Sequence, residues 1–417
     1  MEAIHRKVLV KFFLAFSLST QPLHALTWSD LKSMAKQSAP DLEVARAELE
    51  SADASIDAAK AGFRPTISSR ISASRRINTT ENTKKNAYEA DITLEQPLFS
   101  FGRTSARVDS ATHTRSASVA ALMAQAVNLR SKLAKAWAQS LYFQELSEIL
   151  KRNTARREAN VQIVKLRYQG GREHKGSVLK TESAKLKTEL DALEAGQKMI
   201  LSKGDLEILV GQNLSHHQVL SGPIVMDVPA PNQKDPSQHP EVLALLAKHR
   251  QAQSQLVESR RTYFPELSLT ASAQRSTPKT TPFESLDYAA GLTLTIPIFN
   301  GATSADVSQA AARTKSTATA LAQANSTQQQ RIKQTSTALD IAKQRMRIVS
   351  KIFEASRLQA EVSRQRYTLG LISFQDWDSY ESDFMQSEVD RLNSELNVAN
   401  AMADYAAAIG LSLEEEP

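Results

Sequence analysis

Two stretches of the chain, residues 103–169 and 302–369, contain neither glycine nor proline. At a rise of 1.5 Å per residue, an α-helix of either length would extend about 100 Å. A helix this long cannot be buried within one globular core, so it must lie alongside other helices. Apolar and small residues recur in both stretches at coiled-coil spacing: Leu122, Ala126, Leu129, Leu133 and Ala136 in the first, and Ile332, Leu339, Met346, Phe353 and Ala360 in the second.

The chain is built from two similar halves. Prolines near the predicted strands match at an offset of 200 residues, and residues at the end of each long stretch match at an offset of 199. Because the matches fall on residues that set local structure, the halves share one structural plan. The matching pairs are Pro40 and Pro240, Pro65 and Pro265, Tyr88 and Tyr288, Pro97 and Pro297, Arg167 and Arg366, Tyr168 and Tyr367, Gly171 and Gly370, Glu182 and Glu381, and Ser183 and Ser382.

Each half is predicted to contain a helix, a β-hairpin, a very long helix and a final helix. The predicted fold class is therefore mostly α with a small antiparallel β part. Two shorter helices stacked end to end would flank each long helix, because their summed lengths match it in the first repeat and approach it in the second. The predicted boundaries are 26–205 for the first repeat, with helices at 28–62, 103–169 and 172–203 and a hairpin at 66–97; 206–240 for the segment between the repeats; 241–410 for the second repeat, with helices at 241–262, 302–369 and 371–409 and a hairpin at 266–297; and 411–417 for the C-terminal tail.

Residues 1–25 have the pattern of a secretory signal peptide. A basic start, MEAIHRK, precedes the mostly apolar run VLVKFFLAFSL, and STQPLHA ends in a small residue. This order predicts cleavage after Ala25 and export from the cytoplasm. A short buried helix is the alternative, and Lys11 within the apolar run is consistent with it. No other apolar run approaches the roughly 20 residues of a membrane-spanning helix.

Composition excludes several classes of function. The chain has no cysteine, which excludes disulfides, thiol catalysis and zinc–cysteine sites. A net charge of +6, from 51 Lys+Arg and 45 Asp+Glu, is too diffuse to indicate nucleic-acid binding. The pair His216-His217 has no third ligand at a useful spacing, and a solvated loop is the simpler interpretation. The common phosphate-binding, dinucleotide-binding and hydrolase motifs are missing, so we expect no enzyme, no metal and no cofactor.

The predicted strands have the length and alternation of strands that cross a membrane. Apolar and polar residues alternate in the second strand of each half, and less sharply in the first, over about ten residues. Strands cross lipid as a closed barrel, and one chain's four strands are too few to enclose a pore, whereas three chains would supply twelve. An amphipathic hairpin packed on the helices of a soluble protein is the alternative. The alternating apolar positions are Tyr88, Ala90, Ile92 and Leu94, repeated as Tyr288, Ala290, Leu292 and Leu294.

Pro65, Pro97, Pro265 and Pro297 are the predicted transitions between strand and helix, because proline ends a strand ladder and is tolerated in a first helical turn. Paired motifs surround them in the tandem halves: Phe63-Arg64-Pro65 and Tyr263-Phe264-Pro265 before the first strands, QPLF-x-x-G and IPIF-x-G at the ends of the second strands, and RY-x-x-G after the long helices. Together the tandem halves and these motifs resemble the TolC family of outer-membrane efflux and secretion channels, over essentially the whole chain after residue 25.

The resemblance implies a homotrimer in outer-membrane lipid, with a twelve-stranded β-barrel continuous with an α-helical barrel that reaches through the periplasm. It implies two further partners, a periplasmic adaptor (membrane fusion protein) and an inner-membrane transporter of the ABC or RND type. The predicted function is the exit duct of a tripartite efflux or type I secretion system. A secreted coiled-coil scaffold without a pore is the alternative, which accounts for the long helices but not for the paired strands in each half.

The turns after the long helices are predicted to be the periplasmic tips. In the family a G-L-x-[ST] tip contacts the adaptor, and Gly370-Leu371-Ile372-Ser373 fits that pattern. The first turn, Gly171-Arg172-Glu173-His174, keeps only the glycine, so adaptor contact is better supported at the second turn. Both glycines would also serve simply to permit a tight turn between helices.

The resemblance also implies residues that narrow the entrance. Asp376 occupies the place of an aspartate ring that attracts cations, and a first-turn acid favoured by the helix dipole is the alternative. The family's second ring position falls on Ser379. Asp378 lies one residue earlier, rotated by about 100° around the helix, so a double acidic ring is not expected.

A polar network holds the entrance shut in the family, and Tyr367 matches its tyrosine. Ser177 occupies the position of the usual acidic partner, which predicts a Tyr367–Ser177 hydrogen bond. The arginine position falls on Ile372, so the charged link is missing. The hypothesis is an entrance that is held shut more weakly, or one held by the nearby Arg172, Glu173 or Lys180.

Overall fold

The computed structural model describes residues 25–78, 83–214, 219–225, 235–277 and 286–413. The predicted signal peptide, apart from Ala25, and the pair His216-His217 lie outside these residues. The helices are α1 (Trp28–Ser38), α2 (Pro40–Lys60), α3 (Arg103–Gln169), α4 (Lys175–Val210), α5 (Pro240–Arg261), α6 (Gly301–Thr368) and α7 (Phe374–Ala408), and the strands are β1 (Thr66–Asn78), β2 (Thr83–Phe99), β3 (Glu266–Thr277) and β4 (Leu286–Thr295). No described helix is long and apolar enough to cross a membrane.

Some predicted helix boundaries differ from the structure. The helix expected at 28–62 is two helices, because Pro40 is the first residue of α2 and the preceding Ala39 is extended. The helix expected at 172–203 begins at Lys175 and continues to Val210. It passes Gly204 because Leu206 and Val210 are fully buried in the core, and tertiary packing outweighs the weak helix propensity of glycine.

The helices form one layer in which α3 is central. Helices α2 and α4 pack along one side of α3, helices α5 and α7 pack along its other side, and α6 packs beyond α5 and α7. The largest core cluster joins α3 to both α1 and the end of α4, and includes Leu129, Leu133, Trp137, Leu31 and Leu206. Residues 219–225 of the connecting segment lie against this cluster, where Gln144 exchanges two 3.2 Å hydrogen bonds with the backbone of Leu220.

Short helices meet end to end at corresponding places in the two repeats. The Ser38 hydroxyl at the end of α1 donates to the Val210 carbonyl at the end of α4, at 2.7 Å. In the second repeat the His239 ring is 3.1 Å from the Ala407 carbonyl. Gly211, the residue after Val210, has a φ of 73°. A Cβ atom at this position would lie 2.3 Å from the Ser38 carbonyl oxygen. The close approach of the two helix ends therefore requires glycine at this position.

The four strands form one antiparallel sheet in the order β1-β2-β3-β4. This arrangement confirms the predicted fold class, mostly helix with a small antiparallel sheet. Pro65 and Pro265 directly precede β1 and β3, and Pro297 follows the end of β4 at Thr295. Pro97 does not end its strand: β2 continues to Phe99 through a register shift, where a missing backbone N–H is tolerated.

The sheet has one apolar and one polar face. Register places Ile71 beside Ala90, and Ala271 beside Ala290, on the apolar face. On the polar face Arg70 lies opposite Asp91, and Gln274 donates to the Glu89 carboxylate at 2.6 Å. Within the described residues, β1 and β4 each pair on one side, so both edges of the sheet are open. The apolar face carries Ile67, Ile71, Ala73, Tyr88, Ala90, Ile92, Leu94, Leu267, Leu269, Ala271, Ala273, Tyr288, Ala290, Leu292 and Leu294.

Candidate functional site

Two turns lie at the ends of α3 and α6 that are remote from the strands. We call residues 170–174 the first tip turn and residues 369–373 the second. Gly171 and Gly370 have left-handed backbones, with φ of 69° and 82°. In each turn the residue after the glycine donates its backbone N–H to a carbonyl of the long helix. Arg172 donates to Arg167 at 2.9 Å, and Leu371 donates to Arg366 at 2.8 Å. Glycine is favoured at both positions because other residues rarely adopt a positive φ.

The helices that follow the tip turns start later than predicted because each has an N-cap inside the predicted helix. Helix α4 is capped by the His174 ring, which accepts a hydrogen bond from the Ser177 N–H at 3.3 Å. Helix α7 starts at Phe374 rather than 371, and the Ser373 hydroxyl accepts from the Asp376 N–H at 3.1 Å. The same hydroxyl donates to the Asp376 carboxylate at 2.7 Å. Asp376 is thus an exposed first-turn acid held in a reciprocal cap.

Tyr367 lies between two helical hairpins: the first consists of α3 and α4, and the second of α6 and α7. Only 1% of its surface is exposed. Its ring stacks on Trp377 with centroids 4.3 Å apart and planes 4° from parallel. The Arg167 guanidinium covers the ring at 4.4 Å and donates to the Tyr367 carbonyl oxygen. Val164 and Val178 complete this cluster. The second hairpin therefore places an aromatic pair into the first hairpin, and a cation–π contact secures it.

Glu173 joins Tyr367 to the first tip turn. The Tyr367 hydroxyl donates to one Glu173 carboxylate oxygen at 3.0 Å, and the Ser177 hydroxyl donates to the other at 2.8 Å. The two hydroxyls are thus joined through Glu173, one of the alternatives named above, rather than by a direct Tyr367–Ser177 bond, because the carboxylate lies between them and accepts a hydrogen bond from each. We name Tyr367, Glu173, Ser177, Arg167 and Trp377 the tip latch. Arg172 lies exposed in the first tip turn.

The tip latch shifts the titration of both of its acidic groups. Burial raises the pKa of Tyr367, and its hydrogen bond to Glu173 raises it further. Burial alone would raise the pKa of Glu173, but hydrogen bonds from Ser177, from the His174 N–H and from Tyr367 outweigh burial, so that pKa lies below its usual range. Both shifts keep the phenol protonated and the carboxylate charged at neutral pH.

A second set of contacts joins the hairpins farther from the tips. Glu381 of α7 is fully buried and accepts two hydrogen bonds from Arg156 of α3, at 2.7 and 2.9 Å. Asp378 is buried between Arg157 at 3.3 Å and Lys180 at 2.9 Å. We name these five residues the hairpin clamp. Two cations therefore enclose the Asp378 carboxylate, whereas Asp376 is exposed.

The remaining predicted site residues are exposed or frame the tip latch. Asp376 and Ser379 lie on an exposed face of α7, which continues through Asp383 and Asp390 at steps of seven residues. Leu371 is 69% exposed in the second tip turn, whereas Ile372 packs against the Tyr367 cluster. The described residues contain no group of three or more histidine or acidic side chains that could hold a metal ion.

Sequence reasoning missed Glu381 and Arg156. The repeat did carry a signal, because Glu381 corresponds to Glu182 at an offset of 199. Glu182 pairs with Lys165 of its own hairpin at 2.7 Å, whereas Glu381 pairs with the other hairpin. Equivalent glutamates thus have different partners, and sequence alone does not reveal this difference.

Comparison with known proteins identifies the family. The family model described as outer membrane efflux protein matches residues 31–212 and 235–411. No curated protein sequence matches significantly.

Solved outer-membrane channels have a similar fold. The channel OprN has a TM-score of 0.81 at 18% identity, over 92% of this chain and 89% of that chain. CmeC of Campylobacter jejuni has a TM-score of 0.81 at 18% identity, over 93% and 86%. MtrE of Neisseria gonorrhoeae, solved in an open state, has a TM-score of 0.80 at 20% identity, over 93% and 90%. The family match covers well over half of the chain, and so the protein belongs to the outer membrane efflux protein family.

Proposed function

We propose that three copies of this chain form an outer-membrane channel that serves as the exit duct of a tripartite efflux or type I secretion system. Channels of the family are trimeric and work with an adaptor and an inner-membrane transporter. The observation that carries the proposal is the sheet: it has one apolar face, one polar face and two open edges. Pairing β1 of one copy with β4 of the next gives a closed barrel of twelve strands.

The apolar face of the sheet fits the lipid. In the single chain Ile71 is 84% exposed and Leu292 is 66% exposed, so this face requires a cover. Tyr88 and Tyr288 lie toward the hairpin loops, and a cluster of Phe99, Phe101 and Phe264 lies toward the helices, with centroids 4.6 and 6.1 Å apart. Strands tilted as in membrane barrels would separate these aromatic groups by about 25 Å, the height of an apolar band between two aromatic girdles.

The helical layer has two matching apolar edges. Helix α4 packs on α3 and exposes Leu186, Leu190, Leu193 and Ile200 away from it. Helix α6, at the other edge, exposes Ile341, Ile348 and Ile352. Packing α4 of one copy against α6 of the next buries both rows and closes a helical barrel under the strands.

The tip turns are the proposed docking surface for a periplasmic adaptor. The second tip turn, Gly370-Leu371-Ile372-Ser373, presents exposed Leu371. The first tip turn presents exposed Arg172 beside Gly171. The two tips thus offer an apolar contact and a basic contact to the adaptor, which would in turn connect the duct to an inner-membrane transporter of the ABC or RND type.

A pair of adjacent substitutions tests the barrel. Leu292→Arg places a charge on the apolar face, which costs about 2–4 kcal/mol per chain near the middle of a bilayer. We expect the purified protein to lose trimer assembly and conductance in planar bilayers. Thr293→Arg is the matched control, because its side chain lies on the polar face and should be tolerated. Equal behaviour of the two variants, or a water-soluble wild-type monomer, would contradict the proposed channel.

A second test concerns Asp376. Three copies around one axis would place three exposed carboxylates at the entrance and favour cations. Asp376→Asn is expected to lower the cation-to-anion permeability ratio severalfold, measured as a reversal potential across a salt gradient. Ser379→Asp, on the same exposed face, should raise that ratio. An unchanged reversal potential in Asp376→Asn would remove Asp376 from the conduction path.

A further inference from the structure

Two arginines occupy equivalent positions at the loop ends of the strands. Arg75 of β1 and Arg275 of β3 are 200 residues apart, as are the other matched residues of the sheet. Every second residue of a strand lies on the same face, so each arginine shares the apolar face: Ile71, Ala73 and Arg75 in β1, and Ala271, Ala273 and Arg275 in β3. Both side chains are exposed. Each repeat therefore carries a guanidinium near the loop end of its apolar face.

Each arginine lies near a tyrosine of its own β-hairpin. Tyr88 lies opposite Ala73, and Tyr288 lies opposite Ala273, so each arginine is two residues closer to its own hairpin loop than that tyrosine. Tyrosines of barrel proteins mark the boundary between lipid and water. A charge facing hydrocarbon is costly, but an arginine just beyond such a boundary reaches the headgroup layer with its aliphatic stem still on apolar surface.

We propose that Arg75 and Arg275 bind the phosphate groups of lipid headgroups in the leaflet nearest the hairpin loops. This proposal rests on the proposed function, which places the apolar face in a membrane. Strands β1 and β3 alternate with β2 and β4, so every second strand of the barrel would carry one outward arginine. A guanidinium binds phosphate oxygens through two parallel hydrogen bonds. A ring of such contacts fixes the depth of the barrel in the membrane.

A third arginine of the same sheet provides the contrast. Arg70 lies on the polar face, opposite the carboxylate of Asp91. Arg75 lies opposite the amide of Asn86. Arg70 therefore has a carboxylate directly opposite it, whereas Arg75 has a neutral amide there and would face lipid in the proposed barrel. Arg70→Gln removes one charge from the same strand without touching the proposed lipid site, and serves as the matched control.

The experiment uses purified full-length trimers in four kinds of phosphatidylcholine vesicle: without addition, with phosphatidic acid, with a fatty acid at matched surface charge, and with inorganic phosphate in the buffer. Phosphatidic acid retained by the protein after detergent exchange is measured by mass spectrometry. We expect wild type to retain phosphatidic acid over fatty acid. Retention should fall about fivefold for each arginine removed in Arg75→Gln and Arg275→Gln, while Arg70→Gln retains as much as wild type.

Several results would overturn the proposal. One is equal retention of phosphatidic acid by wild type and the double variant Arg75→Gln/Arg275→Gln. Another is wild-type retention of fatty acid equal to that of phosphatidic acid, which needs no variant and would show charge attraction without phosphate recognition. If inorganic phosphate displaced bound phosphatidic acid as effectively as added phosphatidic acid does, the arginines would form a site for free phosphate instead. Failure of wild type to insert into vesicles without addition would refute the channel itself, whereas insertion without lipid preference would refute only this inference.

Discussion

Glu381→Ala is expected to destabilise the helical part of the protein by about 3 kcal/mol, because the partly buried Arg156 loses two carboxylate hydrogen bonds and the buried Asn160 loses its acceptor. Glu381 is fully buried and holds the guanidinium through two hydrogen bonds, and Asn160 donates to it at 3.2 Å. The measurement is loss of helical circular dichroism with urea, in detergent. The midpoint should shift to lower urea concentration.

Glu182→Ala is the matched control for this result. Glu182 is the repeat counterpart of Glu381, but its side chain is 37% exposed and it pairs with Lys165 in its own hairpin. An exposed pair of this kind contributes about 0–1 kcal/mol. The double variant Arg156→Met/Glu381→Met should recover most of the loss, because apolar side chains of similar volume replace a buried ion pair at little cost. Equal destabilisation by Glu381→Ala and Glu182→Ala would mean that the hairpin clamp does not hold the hairpins together.

Local sequence signals predicted the regular elements of this fold. The stretch 103–169 lacks glycine and proline, and helix α3 has those limits. Alternation around Tyr88 and Tyr288 predicted strands, because a period of two residues is itself the geometry of a strand. The break at Pro40 was missed although its signal was present, since proline is a common first residue of a helix and rarely an interior one. The continuation of α4 past Gly204 had no such signal, because it depends on burial of Leu206 and Val210 by distant residues.

The candidate site was predicted only in part, since its partners come from different helices. The family resemblance pointed to Tyr367 and Ser177 and left Glu173 as one of three alternatives. That Glu173 is the bridge depends on where the first tip turn folds back. His174 was not an evident N-cap, so the start of α4 was misplaced by three residues. The start of α7 was recoverable from Ser373 and Asp376, whose spacing is that of a reciprocal cap. The burial of Asp378 was not predicted, because it depends on Arg157 and Lys180, which lie far from it in sequence.

Tyr367→Phe is expected to raise the conductance of the channel by favouring an open entrance. The substitution keeps the stacked ring on Trp377 but removes the hydroxyl that donates to Glu173. A hydrogen bond to a charged group contributes about 1.5–3 kcal/mol. If separating the hairpins breaks this bond, its loss shifts the ratio of closed to open entrances by about tenfold to a hundredfold. Single-channel recording in planar bilayers measures the open fraction directly.

Tyr168→Phe is the control, because Tyr168 is the repeat counterpart of Tyr367 and is 44% exposed. It should leave the open fraction unchanged. Glu173→Gln removes the charge from the same bond and should open the channel as Tyr367→Phe does. The double variant Tyr367→Phe/Glu173→Gln should then open it little further than either single change, because both changes remove one shared interaction.

The pH dependence of the open fraction follows from the two pKa shifts. Because the pKa of Glu173 is lowered in the folded protein, its contribution is present above the ordinary glutamate pKa of about 4.3 and is lost as pH falls through the folded value. Because the pKa of Tyr367 is raised, its contribution is complete below about pH 10 and is lost only as pH rises through the folded value. The wild-type entrance should therefore stay closed across neutral pH and open only as pH falls below the ordinary glutamate range, and Glu173→Gln should abolish that acid response. Conductance that rises on mild acidification, well above the glutamate range, would contradict the assignment of the acid response to Glu173.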